Sequence, residues 1–392
     1  MKRIFLFSAF LVLLFSAAAQ SDAGYEIKVT FKPFKNQYIY LGHYFGKTYP
    51  IIDSALLNEK SEAVFKGDGN LNGGIYLIGY PNKTGFFEVL VDKQQHFSIT
   101  ADTATIGSSI KFENSSDNVL FNHYQQFMTG KGKEINKLKD SYKTSTSKKD
   151  SAVIREKLIK LDEDIAAFRA DIIKNYRGNI LTALLMTMKE PALTGRLKNP
   201  KTKEDSLASW QYYKDHFWDD VSFYDGRMAY TTFFEEKLDK YFNQIVVPHP
   251  DSVIKELDWM LGTASINSEM TRFLLIKFVN RYLNQKYMWE DAVFLYLFEK
   301  YFAQKEHPWL TAAGKKVITD RAYSLMANIM GTPASDIELP DSTGAMKSMF
   351  AEKGNFTMVI FWDPTCGHCK EVLPQIDSVY REKWKADSVN IY

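Results

Sequence analysis

Phe361-Trp362-Asp363-Pro364-Thr365-Cys366-Gly367-His368-Cys369-Lys370 holds both cysteines of a 392-residue chain, three positions apart. Ahead of them, Thr357 to Trp362 is a β-branched and aromatic run of buried-strand type. Behind them, Lys370 to about Trp384 is amphipathic with a helical period. The pattern puts Cys366 at a helix N-terminus, where unpaired backbone N–H groups and the helix dipole lower a thiol pKa below its usual value of about 8.5. The thiolate is the attacking species, so a redox dithiol is the leading reading.

The strand, the Cys-X-X-Cys, Lys370 and the helix-kinking Pro374 together resemble the thioredoxin fold. Phe361 and Trp362 ahead of the cysteines are similar to the pair carried by the TlpA/ResA-like thiol-disulfide oxidoreductases. Gly331-Thr332-Pro333-Ala334-Ser335-Asp336-Ile337-Glu338-Leu339, with the turn Pro340 to Gly344, resembles the entry of that family's domain. The resemblance covers about Gly331 to Tyr392. It implies that Cys366 attacks a substrate disulfide and that a buried Cys369 resolves the mixed disulfide by forming Cys366–Cys369. It also implies that Gly367 and His368 tune the driving force, His368 by stabilising the thiolate, with a potential between about −270 and −120 mV. By the same resemblance, Trp362, Asp363, Lys370 and Pro374 are expected to support the site. Thr365 departs from the pattern, standing where a Trp is usual.

Other readings of the motif are weaker. A zinc site needs four ligands, and two cysteines with seven scattered histidines offer no compact set, so no metal is expected. A c-type haem attachment needs His where Lys370 stands. A thioredoxin-fold peroxidase would want Thr or Ser at Asp363. A structural disulfide would close too short a loop to add much stability.

The thioredoxin resemblance implies roughly 100 residues or more, yet only 23 follow Cys369 (392 − 369), with no proline after Pro374. The module is therefore expected to be incomplete, lacking the later strands and the proline loop that faces the dithiol, and to have little disulfide reductase turnover.

Lys2 and Arg3 precede the apolar run Ile4 to Phe15, and Ala17-Ala18-Ala19 offers a cleavage site, a signal peptide pattern. Removing it takes the basic count from 49 to 47 against 47 acids, and no basic face argues for nucleic acid. No apolar stretch of about 18 residues predicts a membrane span in the mature chain. The expectation is an exported protein, soluble in a bacterial periplasm, where oxidising conditions suit a dithiol.

Tyr25 to about Ile110 alternates in short strands, Glu26–Phe31, Gln37–Leu41, Gly74–Ile78 and Phe86–Val91, separated by turn signals. This predicts an antiparallel β-sandwich-like domain. Gly46-Lys47-Thr48 is no P-loop, since Gly42 is one position too close and Tyr49-Pro50 follows. From about Asp117 the period becomes helical. Ile154, Leu158, Leu161, Ile165, Phe168 and Ile172 form an apolar seam that either packs on neighbouring helices or makes a homodimer coiled coil. Further helices are expected over Ser206–Asp219, Arg227–Gln244, Asp251–Leu261, Ser268–Gln285, Trp289–Phe302 and Ala312–Met330, with Asp251 and Asn267 as N-caps. Lys131–Lys149 and Lys198–Glu204 read as loops.

The organisation is a multidomain one: signal peptide 1–19, β-rich domain 20–116, all-α domain 117–330 and partial α/β thioredoxin-like domain 331–392. The function so read is an exported protein-disulfide oxidoreductase without a cofactor. It acts on protein thiols and disulfides, for instance apocytochrome cysteines before haem attachment, with electrons from a thiol-disulfide partner. The competing reading is a non-catalytic periplasmic binding or scaffold protein carrying a truncated redox domain.

Overall fold

The computed structural model describes residues 24–104, 110–145, 147–326, 331–351 and 354–392; the expected signal peptide lies outside them. The chain forms two compact units that divide between Asn284 and Gln285. The expected boundaries near 116 and 330 mark changes of secondary-structure type.

The first unit begins with β1 (Tyr25–Lys32), β2 (Tyr38–His43), β3 (Ile51–Leu56), β4 (Glu62–Gly67), β5 (Gly74–Gly79), β6 (Phe86–Val91), β7 (His96–Asp102) and β8 (Lys111–Glu113). They make two four-stranded sheets, ordered β4-β1-β7-β8 and β3-β2-β5-β6. Ile27, Val29 and Phe31 of β1 meet Ile39, Leu41, Tyr76, Ile78, Val89 and Val91 of the other sheet in one core, which makes a sandwich. The expectation of a purely antiparallel sandwich is corrected, because β1 pairs with β7 in parallel, Glu26 opposite His96. Alternating inward and outward side chains suit either pairing direction, so the pattern does not distinguish them.

Helices α1 (Ser116–Thr144), α2 (Lys148–Asn175), α3 (Ile180–Thr187), α4 (Gly195–Lys198), α5 (Lys203–Asp215), α6 (Phe233–Lys240), α7 (Pro250–Ala264) and α8 (Ser268–Leu283) complete this unit, with a 3₁₀ turn at Gly226–Tyr230 and a π turn at Tyr241–Ile245. The loop expected over Lys131–Lys149 is instead the end of α1 and the start of α2. Its lysines and glutamate are good helix formers, and Lys131 pairs with Asp164 across the hairpin at 2.7 Å. The α2 seam packs on α1: Phe168 stacks on Phe127 with ring centroids 4.0 Å apart, and Leu161 and Ile172 are buried. Asn267 caps α8 as expected, accepting from Met270 N at 2.9 Å. Asp251 does not cap α7; His249 holds that position with Pro250 after it, and Asp251 lies in the first turn.

The sandwich is keyed into the helices. Phe45 sits edge-on to Tyr230 and Phe273, Gly46 N donates to Ala229 O, and Lys47 reaches Glu235 through its backbone N and Asp239 through Nζ. Gly46 has φ +57° and lies against Glu235, a conformation and a closeness that favour glycine. The Gly46-Lys47-Thr48 triplet is thus a structural plug. On the neighbouring strand at the same end of the sheet, Gly74 lies under Tyr230, where an added Cβ would fall 2.2 Å from the Tyr230 Cβ. Gly74→Ala is therefore expected to destabilise the first unit by about 1–3 kcal/mol, and urea unfolding checks it. An unchanged midpoint would mean that the 226–230 turn yields freely.

The second unit holds α9 (Glu290–Leu297), a π turn at Phe298–Phe302, α10 (Ala312–Met326), β9 (Glu338–Pro340), β10 (Met346–Ser348), β11 (Phe356–Met358), α11 (Gly367–Val379) and β12 (Val389–Ile391). β9 and β10 form a hairpin whose turn is held by Asp341 Oδ1, which accepts from Thr343 N and Ala345 N. β11 and β12 pair in parallel across α11, a β-α-β unit. The hydroxyl of Tyr392 donates to the carbonyls of Ile337 and Lys347, tying the hairpin to this unit. The buried strand expected over Thr357–Trp362 is shorter. Its ladder ends with Ile360 N donating to Tyr392 O, and Phe361 and Trp362 are 81% and 56% exposed.

Candidate functional site

Asp363 builds the approach to the dithiol. Its carboxylate accepts from Thr365 N and Oγ1, both at 2.6 Å, and those bonds hold its pKa below the usual carboxylate range. Its carbonyl accepts from Cys366 N at 3.1 Å, closing the turn that presents the first sulfur.

Cys366 is the N-cap of α11, with extended backbone angles (φ −74°, ψ 117°). An N-cap side chain normally uses an oxygen to accept an orphan N–H of the first turn. Here Cys366 Sγ does so, accepting from Cys369 N at 3.4 Å. The Cys366 pKa is lowered, first by the hydrogen bond from the Cys369 thiol and then by the Cys369 N–H, against an opposing effect of burial, with the His368 N–H adding a lesser lowering.

Both thiols are free and half-buried, so Cys369 is less enclosed than expected. Gly367 has open space where a Cβ would be, so no steric demand fixes glycine there. His368 is exposed, and what it gives the sulfur is its backbone N–H. Trp362, Lys370 and Pro374 are exposed, with Pro374 inside α11. The structure thus brings together Cys366, Cys369, the His368 backbone and the Asp363 turn. Among the described residues no group of three or more His, Cys, Asp or Glu side chains could hold a metal.

A second feature, in the first unit, was not legible in the sequence. The end of α3 and the face of α6 enclose a cavity of about 250 Å³ lined by Thr187, Met188, Glu190, Phe233, Lys237 and Lys240, with the exposed Glu236 at its edge. Lys237 is buried, donates to Lys189 O, and lies over the rings of Phe217 and Trp218. Burial pushes its ammonium down to about 8, against Glu190 and Asp220, which favour the charge. In Phe233-Phe234-Glu235-Glu236-Lys237-Leu238-Asp239-Lys240 the lysine reads as part of a solvated face. Only the fold buries it.

Comparison with known proteins adds three findings. Residues 190–328 match a family described as a domain of unknown function, DUF5106. No curated protein matches the chain. The chain is similar to a solved thioredoxin-like protein from Bacteroides caccae ATCC 43185, at 15% identity and a TM-score of 0.38, over 52% of this chain and 72% of that one.

Among the described residues, no helix is long and apolar enough to cross a membrane.

Proposed function

We propose that this chain is an exported thiol-disulfide oxidoreductase of the TlpA/ResA-like kind, with a thioredoxin-like module that works through Cys366 and Cys369 in the periplasm. The observation that carries the proposal is Cys366 at the N-cap of α11, its sulfur accepting the N–H of the second cysteine. The Cys366 thiolate attacks one sulfur of a protein disulfide, and the bond between the two substrate sulfurs breaks. The departing substrate thiolate takes a proton. Cys369, giving up its proton, then attacks Cys366 Sγ, releases the second substrate thiol and leaves a Cys366–Cys369 disulfide. The substrate gains two electrons, and the chain loses two until a donor dithiol restores them. Export and the reductive direction rest on the apolar leader and on the family resemblance.

The test is the pH dependence of Cys366 alkylation by iodoacetamide, read by peptide mass spectrometry. The expected midpoint lies below the value of about 8.5 for a free cysteine. Ionisation raises rate and lowers intrinsic nucleophilicity together, so the midpoint is the diagnostic quantity and the neutral-pH rate is not. A midpoint at or above that of free cysteine would remove the proposal's foundation.

The cavity in the first unit favours a second reading, a binding protein in which the helical region holds a ligand.

A further inference from the structure

A second cavity of about 350 Å³ adjoins the one that holds Lys237. Phe121, Tyr124 and Met128 of α1 and Leu181, Leu184 and Leu185 of α3 give it an apolar lining, with Glu88, Gln125 and Arg169 also on its wall. Met188 and Phe233 line both cavities, so the two meet at these side chains. The volumes are of the order found for small-molecule sites, about 300–1,000 Å³.

The polar groups of the two cavities differ in how they are satisfied. Lys240 and Tyr213 both engage Glu190. Glu88 accepts from Tyr44 and Gln125. Arg169 Nε donates to Tyr124. Lys237 differs: it is 8% exposed and its ammonium donates to the backbone carbonyl of Lys189. No carboxylate among the described residues makes a direct ion pair with it, and Glu190 and Asp220 favour its charge only from a distance. A buried cation without a direct ion-pair partner costs stability, and such groups concentrate at binding and catalytic sites.

We propose that the two neighbouring cavities together bind a small amphipathic carboxylate, its head on Lys237 and its alkyl chain passing the shared Met188 and Phe233 to lie between α1 and α3. The ligand supplies the direct ion pair that Lys237 lacks and fills the apolar space lined by Leu181, Leu184 and Leu185. The site lies wholly in the first unit and does not depend on the dithiol chemistry.

Titration calorimetry of the full chain with decanoate tests this. Saturable binding at about 1 mM or tighter is expected. Lys237→Met should weaken it at least about tenfold, the worth of a charged hydrogen bond, and decanol should bind wild type that much more weakly than decanoate. Acetate, lacking the chain, should show no saturable binding in the same range. Lys237→Met also removes the donor to Lys189 O, so its melting temperature is measured alongside to establish that the variant is folded. If that variant fails to fold, Lys237→Gln serves for the same comparison. No decanoate binding to wild type, equal binding to wild type and the lysine variant, or acetate binding as tightly as decanoate would each overturn the proposal.

Discussion

Cys369→Ser protein incubated with oxidised glutathione is expected to accumulate a stable glutathione adduct on Cys366, whereas wild type passes through that adduct and ends as an intramolecular disulfide. The difference follows from position along one helix. Cys366 sits outside the first turn and receives its N–H groups, so its thiol pKa is lowered. Cys369 sits inside the turn, three residues on, within reach to displace whatever is bound to Cys366. Removing it deletes the second step and leaves the first. Cys366→Ser should form almost no adduct, because the sulfur that accepts the helix N–H groups is gone. The effect is close to all-or-none, read as adduct mass on the intact chain. A persistent adduct on wild type, or equal yields from the two serine variants, would show that the sulfurs do not divide the labour in this way.

The largest effect on stability is expected at Asn118. This residue is fully buried, and its side chain pairs with the backbone of Leu90 in both directions: Oδ1 accepts from Leu90 N, and Nδ2 donates to Leu90 O, each at 2.7 Å. β6 is the last strand of its sheet, so at Leu90 an amide side chain from α1 stands in for the missing neighbour. Nδ2 also donates to the α1 N-cap Ser115. Asn118→Leu keeps the branched shape and the number of side-chain heavy atoms and removes every partner, leaving a buried N–H and a buried C=O unpaired at about 1–3 kcal/mol each. A loss of about 3–5 kcal/mol in urea unfolding is expected for the first unit. A loss under about 1 kcal/mol would mean that water reaches the strand edge and replaces the amide.

The sequence exposed the features whose signals are local. Phe86–Val91 is a strand to the residue, Asn267 caps the helix it precedes, and Cys366 falls at the strand-to-helix junction that its neighbours imply. Features that depend on distant partners were hidden. The parallel pairing of β1 with β7 leaves the same alternation as an antiparallel one. Lys131–Lys149 looked like a loop because lysine and serine dominate it, yet lysine is a good helix former and Lys131 finds Asp164 on the next helix. Asn118 and Lys237 carry ordinary polar side chains in ordinary helical stretches. Their roles exist only once α1 meets β6 and α6 meets α3.

The plug formed by Phe45 to Lys47 limits how this polypeptide can be subdivided in the laboratory. A recombinant fragment starting at Glu190 would carry Phe273 and Tyr230 stripped of Phe45 and Asn72, and Asp239 stripped of Lys47. Greasy rings would then face solvent, a recipe for inclusion bodies, although Asp239 would keep Lys277 and Arg281. Expression vectors for this molecule should keep everything from Gly24 to Asn284 on one open reading frame.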